Sequence, residues 1–199
     1  MHRDNPDVPV GEFIDVLNRL QAKGRIGIFG GSNWSPERFR AANDHAARAG
    51  LQPMRLLNNN LSLAVMEKPV WAGCVTSNTP ETLGFLRQSQ TVHLSWSSQA
   101  RGYFLPEALR DRLPEATGPE HCFGSSANAE RRTRAGQLAT ERGVSAHNIA
   151  TAWVLSQAFP SLALIGPRSP GEIASTLPGA ALRLTAAEVA WLNLESATR

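Results

Sequence analysis

Residues 26–39 read Ile-Gly-Ile-Phe-Gly-Gly-Ser-Asn-Trp-Ser-Pro-Glu-Arg-Phe. The apolar run Ile26–Gly31 has the length and composition of a short buried strand. It breaks at two glycines, passes through Ser32 and Asn33, and meets a helix start. Ser35 supplies a hydroxyl at the N-cap, Pro36 the fixed φ of the first helical position, and Glu37 an acid in the first turn. Strand, polar turn and capped helix make one β/α unit.

The same unit recurs on both sides. Upstream, Phe13, Ile14, Leu17 and Leu20 stand at helical spacing and Gly24 closes the pattern, which predicts a helix over 11–23. Downstream, the helix opened by Pro36 is expected to reach Ala49 and stop at Gly50. Met54–Asn58 reads as the next strand. A long connection, 59–78, carries Pro69, Trp71 and Gly73. Thr79-Pro80-Glu81 then caps a helix to about Gln88. Val92–Ser97 is a strand, followed by a Pro- and Gly-rich loop over 105–126. Helices over 127–142 and 146–157 are separated by Gly143, and Ser145 caps the second. Leu162–Gly166 is the last strand, Pro170 opens a short helix, and Thr185 with Glu188 forms a capping box.

Alternation of buried strands with amphipathic helices means a parallel sheet, either doubly wound or part of a closed barrel. No Gly-x-Gly-x-x-Gly follows a strand, which argues against a dinucleotide fold of the open kind. The long connections follow strands, where barrels carry their sites. The expected fold is therefore α/β, a single domain over 1–199: the C-terminal half of a (β/α)8 barrel. It has four parallel strands, the last residues of a fifth, and outer helices.

Hydrophobic residues make up 42% and charged residues 19% of the 199, the balance of an ordinary globular chain. No apolar run is long enough for a membrane span, and residues 1–20 lack the pattern of a signal peptide. Cys74 and Cys122 are too few for a disulfide framework, which points to reduced thiols and a cytoplasmic location. The net charge of +3 comes from 18 Arg and 2 Lys. It is scattered over helices, densest at Arg131, Arg132 and Arg134, and no nucleic-acid motif accompanies it. Neither a metal-ligand spacing nor a nucleophile elbow is present.

Three strings carry chemistry. In 30–43, Ser32 and Asn33 present polar groups at a strand end. In LSWSSQARGYF (94–104), a strand delivers the flat face of Trp96 and then a polar, glycine-containing loop. In LIGPRSPGEI (164–173), Arg168 and Ser169 precede a helix N-terminus, so backbone N–H groups, helix dipole, hydroxyl and guanidinium converge on one anion site.

Together with the opening MHRDNPDVPVGEFIDVLNRLQAKGR, these strings, in this order, resemble the aldo/keto reductase family just past the midpoint of its barrel. The resemblance extends through RRTRAGQLATERGVSAHNIATAWVLSQ and the closing LRLTAAEVAWLNL. It implies NADPH-dependent reduction of a small-molecule aldehyde or ketone. It implies His2 as a catalytic residue at the end of a barrel strand, one of a tetrad with Asp, Tyr and Lys. Ser32, Asn33 and Asn58 would hold the nicotinamide carboxamide and Trp96 would stack on its ring. Ser97, Gln99 and Gly102 would lie along the pyrophosphate. Arg168 and Ser169 would grip the 2′-phosphate, with Glu172 and Thr176 beside the adenosine. Four positions depart from the family pattern: Asn58 and Glu172 replace Gln, Ser98 replaces Pro, and Thr176 replaces Asn. Tyr103, Lys23 and Lys68 match no tetrad position. The chain is therefore expected to be the cofactor-binding portion of a reductase, incomplete at a flexible N-terminus, with open sheet edges available for self-association. The alternatives are a catalytically inactive NADP(H)-binding or regulatory protein and a non-functional truncated product.

Overall fold

A computed structural model describes residues 1–110 and 118–199. Four strands form one sheet: β1 (Gly30–Ser32), β2 (Leu56–Asn58), β3 (Val92–Ser95) and β4 (Ser161–Ala163). Every pairing is parallel and the spatial order is the sequence order. A doubly wound sheet reverses its order at a switch point. This one does not, and it runs as consecutive strands of a barrel run. Met1 adds the trace of a fifth strand: its amine donates to the carbonyl of Gly30 (2.9 Å), and its carbonyl accepts from the amide of Ser32 (3.0 Å).

The helices are α1 (Val10–Ala22), α2 (Pro36–Ala49), α3 (Pro80–Ser89), α4 (Glu107–Arg110), α5 (Pro119–Phe123), α6 (Ser126–Arg142), α7 (Ala146–Leu155), α8 (Pro170–Ala181) and α9 (Ala186–Leu192). The starts follow the sequence signals. Ser35, Thr79, Ser125, Ser169 and Thr185 each accept a backbone N–H three residues on. Gly50 and Gly143 end α2 and α6 in the left-handed conformation. Two expectations change. The loop expected over 105–126 contains α4 and α5, while its residues 111–117 lie outside the described ones. The helix at Pro170 is twelve residues rather than short, because α7 supports it. Asn148 donates to the carbonyl of Ser175, and at Gly179 a Cβ would meet the carbonyl oxygen of Asn148 at 2.7 Å.

The strands are shorter than their apolar runs. Ile26–Phe29 precede the β1 ladder, and Leu164–Gly166 follow β4. The two faces of the sheet differ. Gly31, Leu57, His93 and Ser95 are buried, the last two with Phe159 and the helices over them. On the other face, Leu56, Val92 and Leu94 are half-buried. Leu162 is 48% exposed and Leu164, beyond the strand, is 42% exposed. A closed barrel turns that second face inward. Two arginines of the densest cluster tie α6 to the C-terminal residues, and the third, Arg132, pairs with Glu120 of α5. Arg131 donates to the carbonyl of Asn193, and Arg134 donates to those of Trp191 and Ser196.

Candidate functional site

All four strands point their C-terminal ends the same way, so every residue singled out at a strand end lies at one end of the sheet. The local structure there falls into two parts.

At the ends of β1 and β2 the polar groups are already bonded to one another. Asn33 takes a left-handed φ of 57°, which asparagine tolerates better than most residues. Its amide nitrogen donates to Ser32 Oγ (3.2 Å), and its Oδ1 accepts from the backbone of Val75 (3.0 Å). The Asn58 side chain donates to the carbonyl of Leu94. Two further asparagines carry more structure than the sequence reading gave them. Asn59 brackets Trp34, accepting from its N–H and donating to its C=O. Asn60 donates to the carbonyl of Trp96 and accepts from Thr76 Oγ1. Its backbone also pairs with Val75 and Ser77. The connection 59–78 is thereby laid back across the strand ends. The run of three asparagines at a strand end was the visible signal for this.

Trp96, the expected ring platform, meets an aromatic partner from that connection. Its indole stacks on Trp71, with centroids 4.9 Å apart and planes 28° from parallel. The guanidinium of Arg3 lies 5.8 Å from the Trp71 ring. Both indole N–H groups are buried and find no acceptor among the described residues.

Past β3 and β4 the surface opens into a groove of about 490 Å³. Ser97, Gln99, Gly102, Arg168 and Glu172 all line it. The backbone turns through positive φ at Ser97, Ala100, Arg101 and Gly102, a concave main chain of the kind that receives anions. Ser98, where the family has proline, donates its hydroxyl to the carbonyl of Leu164 (2.7 Å) and so fastens this loop to the residue after β4. Gln99 donates to Thr151 and Thr176, which ties the loop to α7 and α8. Thr176 is buried beneath Gln99, and its hydroxyl also donates to the carbonyl of Glu172.

The α8 N-terminus already holds an anion of its own. Ser169 accepts from the amide of Glu172, and the Glu172 carboxylate accepts from the amide of Arg168 at 2.6 Å. The groove therefore gathers five of the expected residues. Ser169 and Thr176 support its wall, and Ser32, Asn33 and Asn58 are bonded elsewhere.

His2 is exposed beside the outer edge of β1. The terminus expected to be flexible is anchored on both sides of it. Met1 pairs with β1, and Asp4 takes a two-bond ion pair from Arg38 of α2 (2.8 and 2.9 Å). Arg38 also donates to the carbonyls of Asn5 and Val8. Tyr103 is buried among Phe104 and Phe123 under the guanidinium of Arg132, and burial pushes its phenol up.

A buried histidine supports the site from below. His93 bonds Ser77 through Nε2 (2.9 Å) and Ser95 through Nδ1 (2.8 Å). It links β3 to the end of the 59–78 connection. Burial pushes it down to about 4, so it stays neutral. Among the described residues, no three His, Cys, Asp or Glu side chains gather to hold a metal. None of the helices among the described residues is long and apolar enough to cross a membrane.

Comparison with known proteins gives one family and one fold. The model of the aldo/keto reductase family matches residues 1–193. A crystal structure of a thermostable aldo-keto reductase bound to the inhibitor epalrestat superposes with a TM-score of 0.67 at 15% identity. The match covers 98% of this chain and 58% of that one, so the chain spans well under two thirds of that reductase's length. No curated protein matches.

Proposed function

The chain belongs to the aldo/keto reductase family, and on that premise we propose that it is the nucleotide-binding portion of an NADPH-dependent reductase of aldehydes or ketones. The groove past β3 and β4 carries this reading, since it brings a concave main-chain loop and a cationic helix start to one cavity. In this reading, Ser97, Gln99 and Gly102 border the pyrophosphate. Arg168 and Ser169 receive the 2′-phosphate, Glu172 and Thr176 flank the adenosine, and Trp96 faces the ring that Ser32, Asn33 and Asn58 orient. The nucleotide, when bound, supplies the hydride. His2 sits beside this end of the sheet to orient the substrate's carbonyl.

The adenosine and phosphate half of the nucleotide fits the residues present. The nicotinamide half does not fit them as they stand, because Trp71 covers Trp96 and the carboxamide donors are already paired. The test is titration of NADPH and NADH against the wild type and Arg168→Ala. Losing a charge-assisted bond to the 2′-phosphate costs about 1.5–3 kcal/mol, or roughly ten- to a hundredfold in NADPH affinity. Equal wild-type affinities for the two nucleotides would refute the assignment.

The placement of Tyr103 favours a second reading, nucleotide binding without turnover. It is the chain's single tyrosine, and it is packed into the core against Phe104 and Phe123. We also propose that the open sheet edges associate with a further copy, and that the protein works in the cytoplasm, which its two unpaired cysteines suit. Sedimentation as a monomer at every concentration removes the first of these.

A further inference from the structure

The ring seat beside Trp96 is taken by a side chain of the protein itself. A flat ring that stacks on Trp96 and also meets the Asn33 amide has to lie over the end of β2, between β1 and β3. Those two strands are about 10 Å apart, two sheet spacings. Trp71 lies there. Its indole is stacked on Trp96, which follows β3, and lies under the guanidinium of Arg3, two residues beyond the Met1 that pairs with β1. Its own loop is tied to Asn33 through Val75 and to the end of β2 through Asn60. A four-residue turn holds the indole in place: the amide of Cys74 donates to the carbonyl of Trp71 (3.2 Å), the amide of Trp71 reaches the Cys74 sulfur (3.3 Å), and Gly73 takes a φ of 81°.

This closed arrangement has a built-in cost. Trp71 Nε1 and Trp96 Nε1 are both out of water without an acceptor among the described residues. Buried donors normally find a partner, and leaving one unpaired is unfavourable. The stack recovers part of that loss through ring contact. A state in which Trp71 swings out frees its N–H to water and leaves Trp96 open to another ring. Among the described residues, the links that hold the 71–74 turn are the Cys74–Trp71 pair of bonds. Asn59, Asn60 and Ser77 can keep their bonds.

We propose that Trp71 is a self-occluding lid: its indole fills the nicotinamide seat on Trp96, and nucleotide binding requires its departure. This rests on the nucleotide-binding reading above. It adds a residue that competes with the ring, and it predicts that the adenosine half binds first, at the open groove.

Two stacked indoles couple their excited states and give a paired band in far-ultraviolet circular dichroism. The expected result is that this band is present in the wild type and disappears on saturation with NADP⁺, with saturation established independently by calorimetry. Trp71→Ala should lack the band and bind NADP⁺ about two- to tenfold more tightly, the equivalent of one lost aromatic pair. Trp71→Phe should also lack the band. It restacks on Trp96, so its affinity should return toward that of the wild type. A band that survives with NADP⁺ bound overturns the lid and leaves nucleotide binding standing, because the two rings then coexist. Weaker binding by Trp71→Ala also overturns it, since Trp71 would then be part of the bound site. Binding by none of the three proteins overturns both the lid and the nucleotide-binding reading. Binding by Trp71→Ala alone supports both.

Discussion

The two halves of the sheet's C-terminal end solve the same problem in opposite ways. Beyond β1 and β2, every polar side chain implied by family resemblance is consumed internally: Asn33 by Ser32 and Val75, Asn58 by Leu94. Beyond β3 and β4, Ser98 and Gln99 brace the loop from within the groove wall, and the groove itself is left open. One half is organised for itself and the other for something to enter. The cause is the connecting chain. The 59–78 connection folds over its own strand end because Asn59 and Asn60 hold it there. The 96–105 loop is fastened along its own groove, by Ser98 to Leu164 and by Gln99 to Thr151 and Thr176. A ligand gripped by the second half must still disturb the first.

The largest expected effect sets the two halves against catalysis. The open half is proposed to bind the nucleotide, but the reaction also needs a proton donor at the carbonyl oxygen. A positioned general acid is worth about 10²–10⁴-fold. Tyr103 is buried, and Lys23 and Lys68 are exposed and match no tetrad position. The 199-residue chain should therefore bind NADPH with no useful oxidation of it by reactive aldehydes, measured on protein purified free of other reductases. Turnover abolished by His2→Ala would show that the anchored His2 supplies the proton itself. Turnover that survives His2→Ala would place the donor elsewhere in the chain.

The second effect probes what lies beneath the closed half. Free histidine titrates near 6.5, and burial holds His93 at about 4. Between those values the unfolded chain binds a proton that the folded chain does not. Stability therefore falls as pH drops from about 6.5 to about 4, by about 3 kcal/mol in all, and His93 adds no loss below that. Urea midpoints measured across this window should decline in the wild type. The decline should be much shallower in His93→Gln, whose starting stability is lower. Equal slopes would mean that His93 titrates normally.

These contrasts also mark where the sequence was readable. The β/α alternation, the helix starts at Ser35, Thr79 and Thr185, and the stops at Gly50 and Gly143 follow from local rules, and local rules are written in adjacent residues. The strand lengths were not legible. An apolar run such as Ile26–Phe29 only suggests a buried strand, and here Ile28 is 62% exposed, whereas a ladder needs a neighbour in register. The groove was half legible. Arg168 and Glu172 stand in one string, but only the folded chain brings them to Ser97 and Gly102. Least legible was the pairing of Trp71 with Trp96, 25 positions apart, since nothing local says that a connection returns over its strand. Arg38 was missed for the same reason: its partner Asp4 lies 34 residues away.

A third effect tests whether the closed half depends on the asparagines. Asn59 is fully buried and bonds both main-chain groups of Trp34. Asn59→Ala strands one N–H and one C=O in the core. The expected cost is about 2–6 kcal/mol in a denaturant titration, since each of the two unsatisfied buried groups costs about 1–3 kcal/mol. Asn58→Ala should cost less, because Asn58 is only half-buried and gives one bond. A reversed order would mean that the strand end, not the returning connection, carries the stability of this half.

The smallest effect concerns the open half, where one group is not fully open. The Glu172 carboxylate sits on the amide of Arg168, at the helix start proposed for the 2′-phosphate. A dianionic phosphate arriving there meets a carboxylate already using one of the available N–H groups. Replacing it with an uncharged amide removes the repulsion and leaves the Ser169 cap in place, since that cap uses the Glu172 backbone. Charges at an exposed helix N-terminus are worth about 0.3–1 kcal/mol, so Glu172→Gln should tighten NADPH about two- to fivefold. NADH, which lacks the phosphate, should change little. The gain should shrink at high salt, because both charges face solvent. A gain that is equal for both nucleotides would place Glu172 against the shared pyrophosphate. A loss confined to NADPH would mean that the carboxylate orders the Arg168 amide for the phosphate rather than competing with it.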